Sequence, residues 1–401
     1  MRRSDVAHSG VAKRAKYSSL MGRLWWWFAL AAGCATFNIA AADIFNVTTR
    51  LVPQIQYAND ASFFPSAIDR DYLRNGRAEM ELRAHGKSIA FVGTARAMYT
   101  DGSEPHYVGI LNELYSDFSI AGEQFTVGKK IMSWDVGYAY RPLDLLQRDD
   151  RRALYQSTYI GVPLLAWEKF TELYAVTIAY ANPGAGTAST AKDDEAFALR
   201  IYRRGDGWDG YLIARGSERS GIEAGPAWSW TLSDAFEMHG SLAYQQRVTR
   251  RTAVSTTTSS TSKALLGFTW TNSAGWSVIG EAWYDGTAPS SARWNEARRA
   301  IFDSTGLVQA YSLLAEYALQ PNVRRENILL RVARTGGYWE IAGDVLHTPE
   351  DRGSLATVSF DRRWNRQRLS GAIRYFGGVS DAIYRHLPAK INAYLAWQIS
   401  W

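Results

Sequence analysis

The sequence lacks most of what disulfide chemistry, thiol chemistry and helical membrane spanning require. Its one cysteine, Cys34, lies near the N-terminus, so no intramolecular disulfide can form. No stretch approaches the roughly 20 uninterrupted apolar residues of a transmembrane helix, except near the N-terminus. Histidine is scarce, at 6 of 401 residues, and no two histidines have the spacing of metal ligands on one strand face. We therefore predict no metal site, no cofactor and no catalytic residue.

The N-terminal segment has the three parts of a secretory signal. Basic residues from Arg2 to Arg23 precede the apolar run Leu24–Ala35, and small residues follow up to Ala42. We predict that residues 1–42 are a signal peptide and that residues 43–401 form the mature protein. A short uncleaved anchor and lipidation at Cys34 are the alternatives.

The predicted mature chain has almost no excess of either charge. The whole sequence has 45 Lys and Arg against 39 Asp and Glu. Residues 1–42 hold six of the basic residues and only one acid, Asp5, which leaves 39 against 38 beyond them. The basic isoelectric point therefore belongs largely to the leader, and it gives no reason to expect nucleic-acid binding.

Alternation of apolar and polar residues is the dominant pattern of the mature chain. In the last segment Leu395, Trp397 and Ile399 share one face, while Ala396 and Gln398 lie on the other. One face suits lipid and the other suits water. A soluble sandwich would show the same alternation in single strands, so the connections between strands must decide.

The connections indicate a barrel. We predict eighteen strands, near 44–57, 77–85, 88–99, 112–121, 123–132, 157–166, 171–181, 194–203, 208–215, 221–230, 234–247, 262–271, 275–284, 325–334, 338–346, 354–363, 367–376 and 392–401. Tight turns alternate without exception with longer loops, which include 58–76, 133–156, 182–193, 248–261 and 285–324. This rhythm predicts an all-β fold, a single transmembrane antiparallel β-barrel with short periplasmic turns, long outer loops and both termini on the periplasmic side.

Three parts of the chain depart from the regular alternation of apolar and polar residues. Gly161 and Pro163 interrupt the strand at 157–166, and losing it would require losing another, so sixteen strands is the nearest alternative. The Thr- and Ser-rich run Thr249–Ser262 is predicted to be a mobile outer loop. Residues 294–302 and 313–317 have helical spacing inside the longest loop, where they would either cap the pore or lie outside it.

Aromatic residues are abundant, with 16 Trp and 22 Tyr. Many lie at predicted strand ends, including Tyr57, Tyr99, Tyr180, Trp208, Trp230, Trp276, Tyr284, Tyr338 and Trp401. Such rings favour the boundary between headgroups and hydrocarbon, although Tyr and Trp are also good strand formers. Their position at strand ends favours membrane girdles.

The predicted inner face carries charges of both signs. The lumen-lining candidates are Arg77, Glu79, Glu81, Arg83, Arg96, Arg200, Glu281, Arg331, Asp361 and Arg374. Unpaired charge in a dry interior is very costly, so this wall must be hydrated or paired. A water-filled lumen is the simplest answer, and a plugged interior is the alternative.

The densest cluster of charge lies around residues 128–152. It runs Gly128-Lys129-Lys130-Ile131-Met132-Ser133-Trp134-Asp135-Val136-Gly137-Tyr138, continues through Arg141-Pro142-Leu143-Asp144 and ends at Arg148-Asp149-Asp150-Arg151-Arg152. This segment resembles uncharacterised and substrate-specific outer-membrane porins of Gram-negative bacteria, in which Gly often stands at the position of Asp135. The likeness covers about 30 residues and implies the porin class without naming a solute.

A long charged loop at a barrel mouth can fold inward and order polar solutes in its field. We hypothesise that Arg141, Asp144, Arg148, Asp149, Asp150, Arg151 and Arg152 form a pore constriction. The alternative is a salt-bridged loop anchor that lies against the wall.

The sequence thus predicts an outer-membrane porin or channel, not an enzyme, for passive or selective passage of small polar or anionic solutes. A rim protease or acyl hydrolase is one alternative, because His347 and His386 fall near Glu350, Asp351 and Asp381. A non-conducting structural or adhesion barrel is the other.

The expected partners follow from the barrel prediction. They are outer-membrane lipid, lipopolysaccharide, small polar solutes and, by resemblance to alginate-export channels, an anionic saccharide. The barrel-assembly machinery would recognise the last strand through Tyr394, Leu395, Trp397, Ile399 and Trp401, because outer-membrane barrels resemble one another in closing on an aromatic residue.

Overall fold

The part of the chain described by the structure is built mainly of β-strands. The structure is a computed structural model, and it describes residues 44–64, 72–147, 153–156, 158–182, 194–252, 255–302 and 307–401. The predicted signal peptide lies outside these residues. The strands are β1 (Ile44–Ala58), β2 (Tyr72–His85), β3 (Ile89–Thr100), β4 (His106–Ile120), β5 (Glu123–Lys130), β6 (Val162–Phe170), β7 (Tyr174–Ala181), β8 (Ala196–Arg204), β9 (Trp208–Ser217), β10 (Gly221–Ser233), β11 (Phe236–Arg251), β12 (Thr256–Thr271), β13 (Trp276–Asp285), β14 (Glu326–Gly336), β15 (Trp339–Thr348), β16 (Gly353–Trp364), β17 (Gln367–Gly378) and β18 (Ala389–Ser400).

The eighteen strands close into one antiparallel barrel. Each strand pairs with the next along the chain, and β18 returns to pair with β1, with Leu51 opposite Trp397. Closure leaves no free edge along the barrel wall, so the ladder satisfies the backbone hydrogen bonds of the strands on both sides within that wall. The prediction of an all-β, eighteen-stranded antiparallel barrel is confirmed, and the sixteen-strand alternative is wrong.

One predicted strand is displaced. β6 spans Val162–Phe170 instead of 157–166. Gly161 precedes the strand and donates its N–H to the carbonyl of Asn112, while Pro163 is the second strand residue. Proline cannot donate to a ladder, and it lies near the start of the strand, which extends seven residues beyond it.

The Thr- and Ser-rich run is wrongly predicted as a loop. β11 continues to Arg251 and β12 begins at Thr256, with Val248 opposite Ser259 and Arg250 opposite Thr257. Threonine is β-branched and pairs well across strands, so this polar run lengthens the paired strands β11 and β12 and does not form a long loop. Neither β10 nor β13 pairs with this extension, which projects beyond the barrel rim.

Most links at one end of the barrel are short, and most links at the other end are long. One end, here called the turn end, carries the short turns and the first residues of β1. The other, the loop end, carries the long segments 59–71, 131–161, 182–195 and 286–325. Three of its links, 218–220, 252–255 and 349–352, are as short as turns, so the predicted strict alternation of lengths is wrong.

Two helices lie within the longest link, α1 (Ser291–Phe302) and α2 (Leu307–Ala318). A single 3₁₀ turn, Ile383–His386, lies between β17 and β18. Among the described residues no helix is both long and apolar enough to cross a membrane.

Alternation of side chains gives the wall two chemically different faces. On β16, Thr357 is 5% exposed and points inward, whereas Val358 is 63% exposed and points outward. The outer face repeats this pattern with exposed apolar side chains such as Leu51, Ile178, Leu212, Leu242, Leu266, Leu330, Ile341, Ile373 and Leu395. The inner face carries the charged side chains described below.

Gly128 is required where β5 bends toward the long link that follows it. Its φ is +125°, and an added Cβ would lie 2.3 Å from the carbonyl oxygen of Leu114. We expect Gly128→Ala to lower the free energy of unfolding by about 1–3 kcal/mol, because the backbone must shift or carry strain. Urea titration of the folded barrel measures this.

Gly109→Ala is the matched control, because an added Cβ there meets nothing within 4 Å. Equal unfolding midpoints for Gly128→Ala and Gly109→Ala would contradict the strain at Gly128.

Candidate pore constriction

The link between β5 and β6, residues 131–161, contacts walls that are far from either strand. The backbone N–H groups of Tyr138 and Ala139 donate to Glu281 on β13, and the Oγ1 of Thr158 donates to Glu81 on β2. A segment tied to both of these strands must cross the barrel interior. We call the described residues of this segment, 131–147, 153–156 and 158–161, the inner loop.

Apolar packing fixes the first half of the inner loop against one side of the barrel. Its contact surface consists of Met132, Trp134, Leu143, Leu145 and Leu146. The wall beneath carries mainly small side chains on β6 to β11, namely Leu164, Ala166, Ala179, Ala181, Ala198, Ile213, Ala227 and Ala243. Inward alanines leave room for the loop, and burying both surfaces stabilises it there. Sequence reasoning missed this contact, although the inward alanines of neighbouring strands were visible in the alternation.

Two aspartates shape the inner loop from within. Asp144 accepts hydrogen bonds from the Ser133 hydroxyl and the Trp134 N–H, both at 2.7 Å. Asp135 accepts from the N–H groups of Val136 and Leu143 at 2.8 and 2.6 Å. Burial raises the pKa of both carboxyls above the ordinary value, in spite of these hydrogen bonds.

Arg141 and Asp144 are the members of the hypothesised constriction that the structure describes. Arg141 donates to the carbonyl of Gly137 at 2.7 Å and lies 3.6 Å from Asp144. Asp144 is 9% exposed and faces its own loop, whereas the Arg141 side chain is 27% exposed and reaches the cavity described below. The other members, Arg148, Asp149, Asp150, Arg151 and Arg152, lie outside the described residues.

Glu281 holds the tip of the inner loop to the opposite wall. Its carboxylate accepts the N–H of Tyr138 at 2.6 Å and of Ala139 at 2.8 Å, and it lies 2.9 Å from the Nε2 of His239. Glu281 belongs to the inner face but is only 2% exposed, because the loop covers it. It is therefore a buried anchor and does not meet water, which sequence alternation could not reveal.

A second charged cluster lines the inner face of β1 to β3. Glu79 and Glu81 are 3% and 1% exposed, and both are surrounded by arginines. Glu81 lies 2.9 Å from Arg50 and 2.5 Å from Arg83. Glu79 lies 2.8 Å from Arg96 and 3.9 Å from Arg77. Arg77 also lies 4.6 Å from the ring of Tyr155 in the inner loop. Buried carboxylates need such partners, since breaking a buried pair leaves an uncompensated charge.

The remaining lumen candidates lie on the inner face of other strands. On β14 to β17, Arg331 pairs with Asp344 at 2.9 Å, Arg374 donates to Thr357 at 3.0 Å, and Asp361 lies 3.1 Å from Arg363. Arg200 on β8 lies 5.2 Å from the ring of Tyr211.

The helices of the longest link pack onto the inner wall at the loop end. Trp294 of α1 is fully buried, with its ring 5.3 Å from that of Tyr317 in α2. The same cluster includes the inward residues Leu355 and Phe376 and the 3₁₀-turn residue Ile383. The helices thus cover part of the mouth, and we call α1, α2 and the 3₁₀ turn the outer cap.

Asp351 ties the outer cap to the barrel. It lies 2.7 Å from Arg324 and accepts the N–H of Ile383 at 2.9 Å. Burial alone would raise the pKa of Asp351, but these contacts and the Thr348 hydroxyl hold that pKa below its ordinary value.

Between the inner loop and the outer cap lies a cavity of about 1250 Å³. Its lining carries more cations than anions. The cations are Arg141, Arg219, Arg247, Arg251, Lys263 and Arg374, and the anions are Asp144, Asp285, Glu316 and Asp344. Several of these charges are paired: Asp144 with Arg141, Glu316 with Arg251, Lys263 with Glu223 and Asp344 with Arg331, while Asp285 accepts from Asn322. With six cations against four anions, the lining still holds two more cations than anions. The cavity is therefore polar and locally positive.

The rim histidines do not assemble a complete catalytic group among the described residues. His386 stacks on Phe63 at 3.6 Å, and its two ring nitrogens face the carbonyls of Ala61 and Ser380. The Nδ1 of His347 lies 2.9 Å from the Ser354 hydroxyl. No carboxylate is hydrogen-bonded to His347 in the described part of the chain, and no cluster there would hold a metal ion.

The last strand presents its apolar side to the outside. Leu395, Trp397 and Trp401 are 46%, 42% and 52% exposed. Tyr394 points inward, 5.2 Å from the ring of Tyr155, and Trp401 exchanges two backbone hydrogen bonds with Val47. Recognition of this strand by the assembly machinery stays a prediction.

A closed antiparallel barrel with an apolar outer wall, a charged inner wall and a loop across its interior defines a porin-like β-barrel. No protein-family model and no curated protein matches the chain. Two engineered variants of the porin of Rhodopseudomonas blastica are each 12% identical to it, with TM-scores of 0.45 and 0.44 and coverage of 89% of this chain and 100% of theirs.

A structure described as "Asymmetric conductivity of engineered proteins" is 13% identical, with a TM-score of 0.45 and coverage of 89% of this chain and 99% of that one. The strand pairing establishes the barrel independently of these likenesses.

Replacing the Glu281 carboxylate should loosen the inner-loop tip. In Glu281→Gln, an amide NH₂ group faces one of the two N–H donors of Tyr138 and Ala139. We expect amide exchange at these two residues to become roughly ten- to a hundredfold faster, equivalent to about 1–3 kcal/mol for an unsatisfied buried group. Hydrogen–deuterium exchange of the folded barrel measures it.

Glu237→Gln, on the inner face of β11 but only partly buried, is the matched control and should leave that exchange unchanged. Unaltered protection of residues 138 and 139 in Glu281→Gln would show that the carboxylate does not hold the tip.

Proposed function

We propose that the protein is an outer-membrane channel that passes small polar solutes, favours anions and is narrowed by its inner loop. The observation that carries this proposal is the polar, locally positive cavity inside a barrel whose outside is apolar. The turn end faces the periplasm, and the loop end with its outer cap faces outward. The protein acts as a passage and performs no chemistry.

The outer wall supports the membrane assignment. Between the two ends it is a continuous apolar belt, as a barrel in hydrocarbon requires. Exposed tryptophans lie at the turn end, at Trp208, Trp230, Trp276, Trp339 and Trp401. Most exposed tyrosines of the outer wall lie at the loop end, at Tyr57, Tyr99, Tyr107, Tyr244, Tyr284 and Tyr375, while Tyr174 and Tyr338 lie at the turn end. Two aromatic rings of this kind match the two membrane–water boundaries.

The inner wall supports the channel. Its ionic side chains extend from Glu79 on β2 to Arg374 on β17, and charge on this scale favours a hydrated interior. An eighteen-stranded barrel is also too wide for its own side chains to fill. The inner loop then occupies part of the lumen, as loops do where they narrow a pore.

The cation excess of the cavity supports a preference for anions. Arg247 lines the cavity, is exposed, and has no salt bridge among the described residues. Lys263 on β12, which pairs with Glu223, and Arg374 on β17 line the same cavity. A passage lined by one sign of charge concentrates ions of the other sign. Small organic anions fit this field, and an anionic saccharide is the larger candidate.

The membrane assignment can be tested on β16. Val358→Arg places a charge in the middle of the apolar belt, and we expect it to lower the free energy of unfolding in lipid vesicles by about 2–4 kcal/mol. Thr357 and Ser359, its neighbours, face inward, so Ser359→Arg is the control and should cost far less. Equal effects of the two changes in urea titrations would contradict a lipid-facing outer wall.

The channel can be tested by swelling of liposomes that contain the protein. We expect sugars and organic acids to enter at rates that fall with solute size, and organic anions to enter faster than neutral solutes of equal size. Uptake restricted to one solute class would indicate a selective channel. Absence of swelling for every solute, with the barrel shown to be inserted, would favour the non-conducting alternative.

Arg247→Gln isolates the charge effect in planar bilayers. We expect the ratio of anion to cation permeability to fall by about twofold, because one cavity cation is lost. Arg362→Gln is the control, since Arg362 points away from the lumen, and it should leave the ratio unchanged. An unchanged ratio in Arg247→Gln would remove Arg247 from the selectivity mechanism.

A further inference from the structure

The outer wall carries few charges, and arginines are the commonest of those on strand residues at the turn end. Arg203 on β8, Arg334 on β14 and Arg362 on β16 are exposed and point outward. Their direction follows from their cross-strand partners Tyr174, Trp276 and Trp339, which are exposed on the outer wall at 44%, 39% and 41%.

These three arginines have no salt bridge among the described residues. The other outward charges on strand residues at this end, Lys169 and Glu123, neutralise each other at 2.7 Å. The turn-end rim of the outer wall therefore has a net positive charge that no carboxylate of the described strands balances.

Each of the three guanidinium groups lies over an aromatic ring. The distances to the ring centres are 5.7 Å from Arg203 to Trp208, 5.2 Å from Arg334 to Trp276 and 5.8 Å from Arg362 to Trp364. Stacking on a ring holds a guanidinium flat at the boundary between hydrocarbon and water. Its N–H groups then remain available to an acceptor outside the protein.

We propose that Arg203, Arg334 and Arg362, each with its tryptophan, bind the headgroup phosphates of anionic phospholipids around the turn end. The guanidinium fork matches a phosphate with two parallel hydrogen bonds, and the tryptophan ring packs beside the glycerol and acyl region. This inference rests on the membrane assignment made above, and it adds the headgroup class and the residues that select it.

The spacing of the three arginines argues for lipid over a soluble ligand. They lie on β8, β14 and β16, with intervening strands between the first and the other two. One compact anion cannot span them, whereas a surrounding leaflet presents a phosphate at every site. The acyl chains of a lipid also hold its phosphate at the membrane level where the tryptophan rings lie. Free phosphate has no such anchor.

The test uses the folded barrel in vesicles in which either phosphatidylglycerol or phosphatidylcholine carries brominated acyl chains that quench tryptophan. We expect the association constant of phosphatidylglycerol to exceed that of phosphatidylcholine by about two- to fivefold, from the attraction of a cation near the surface. The combined variant Arg203→Gln, Arg334→Gln and Arg362→Gln should bring the ratio to about one. Each single variant should lower it in part, which keeps the test open if the combined variant folds poorly.

The matched control removes the same charge at the same end from the inner face, as Arg204→Gln, Arg363→Gln and Arg368→Gln. It should retain the preference for phosphatidylglycerol. Equal association of the two lipids with the unaltered protein, or loss of the preference in the control, would overturn the proposal. If neither brominated lipid quenches tryptophan, the barrel is not inserted and the membrane assignment fails first.

Discussion

Pairing between the first and last strands is the constraint on which the rest of the structure depends. Once β18 bonds to β1, with Leu51 opposite Trp397, every residue of every strand must point either into or out of a closed wall. No strand can then shift by one residue without exchanging the two faces. The separation of apolar and ionic side chains is therefore fixed for the whole circumference at once. Because apolar residues occupy the outer face, the alternating ionic residues must face the interior.

The inner loop needs a different source of order, because it crosses the interior without ladder partners. Two devices replace them. Alanines on β6 to β11 make a recess that takes up Trp134 and Leu143, and carboxylates accept the N–H groups that a neighbouring strand would otherwise bind. Asp135 and Glu281 each accept two backbone N–H groups, and Asp144 accepts one N–H and the Ser133 hydroxyl. A loop held by both kinds of contact keeps one position inside the barrel.

The barrel could be predicted from the sequence because its pattern has a period of two and is repeated in every strand. Errors arose where local composition outweighed that pattern: Thr249–Ser262 is polar on both faces yet forms a hairpin, and Gly161 with Pro163 moved the start of β6. Whether another segment covers an inward residue could not be predicted. Alternation assigns Glu281 to the inner face, but it cannot show that the backbone of Tyr138 and Ala139 lies on it. Such contacts join segments more than a hundred residues apart and depend on closure.

The width and the charge of the proposed passage therefore have separate origins. Width depends on the backbone of the inner loop, which buried acids and apolar packing hold in place. The charge of the passage depends on exposed arginines such as Arg247, whose side chain does not hold the backbone of the inner loop in place. A buried acid costs much to change because its donors lose their partner, whereas an exposed arginine can be replaced at little cost in stability. Selectivity can consequently change by substitution in the cavity while the loop that sets the size limit stays where it is.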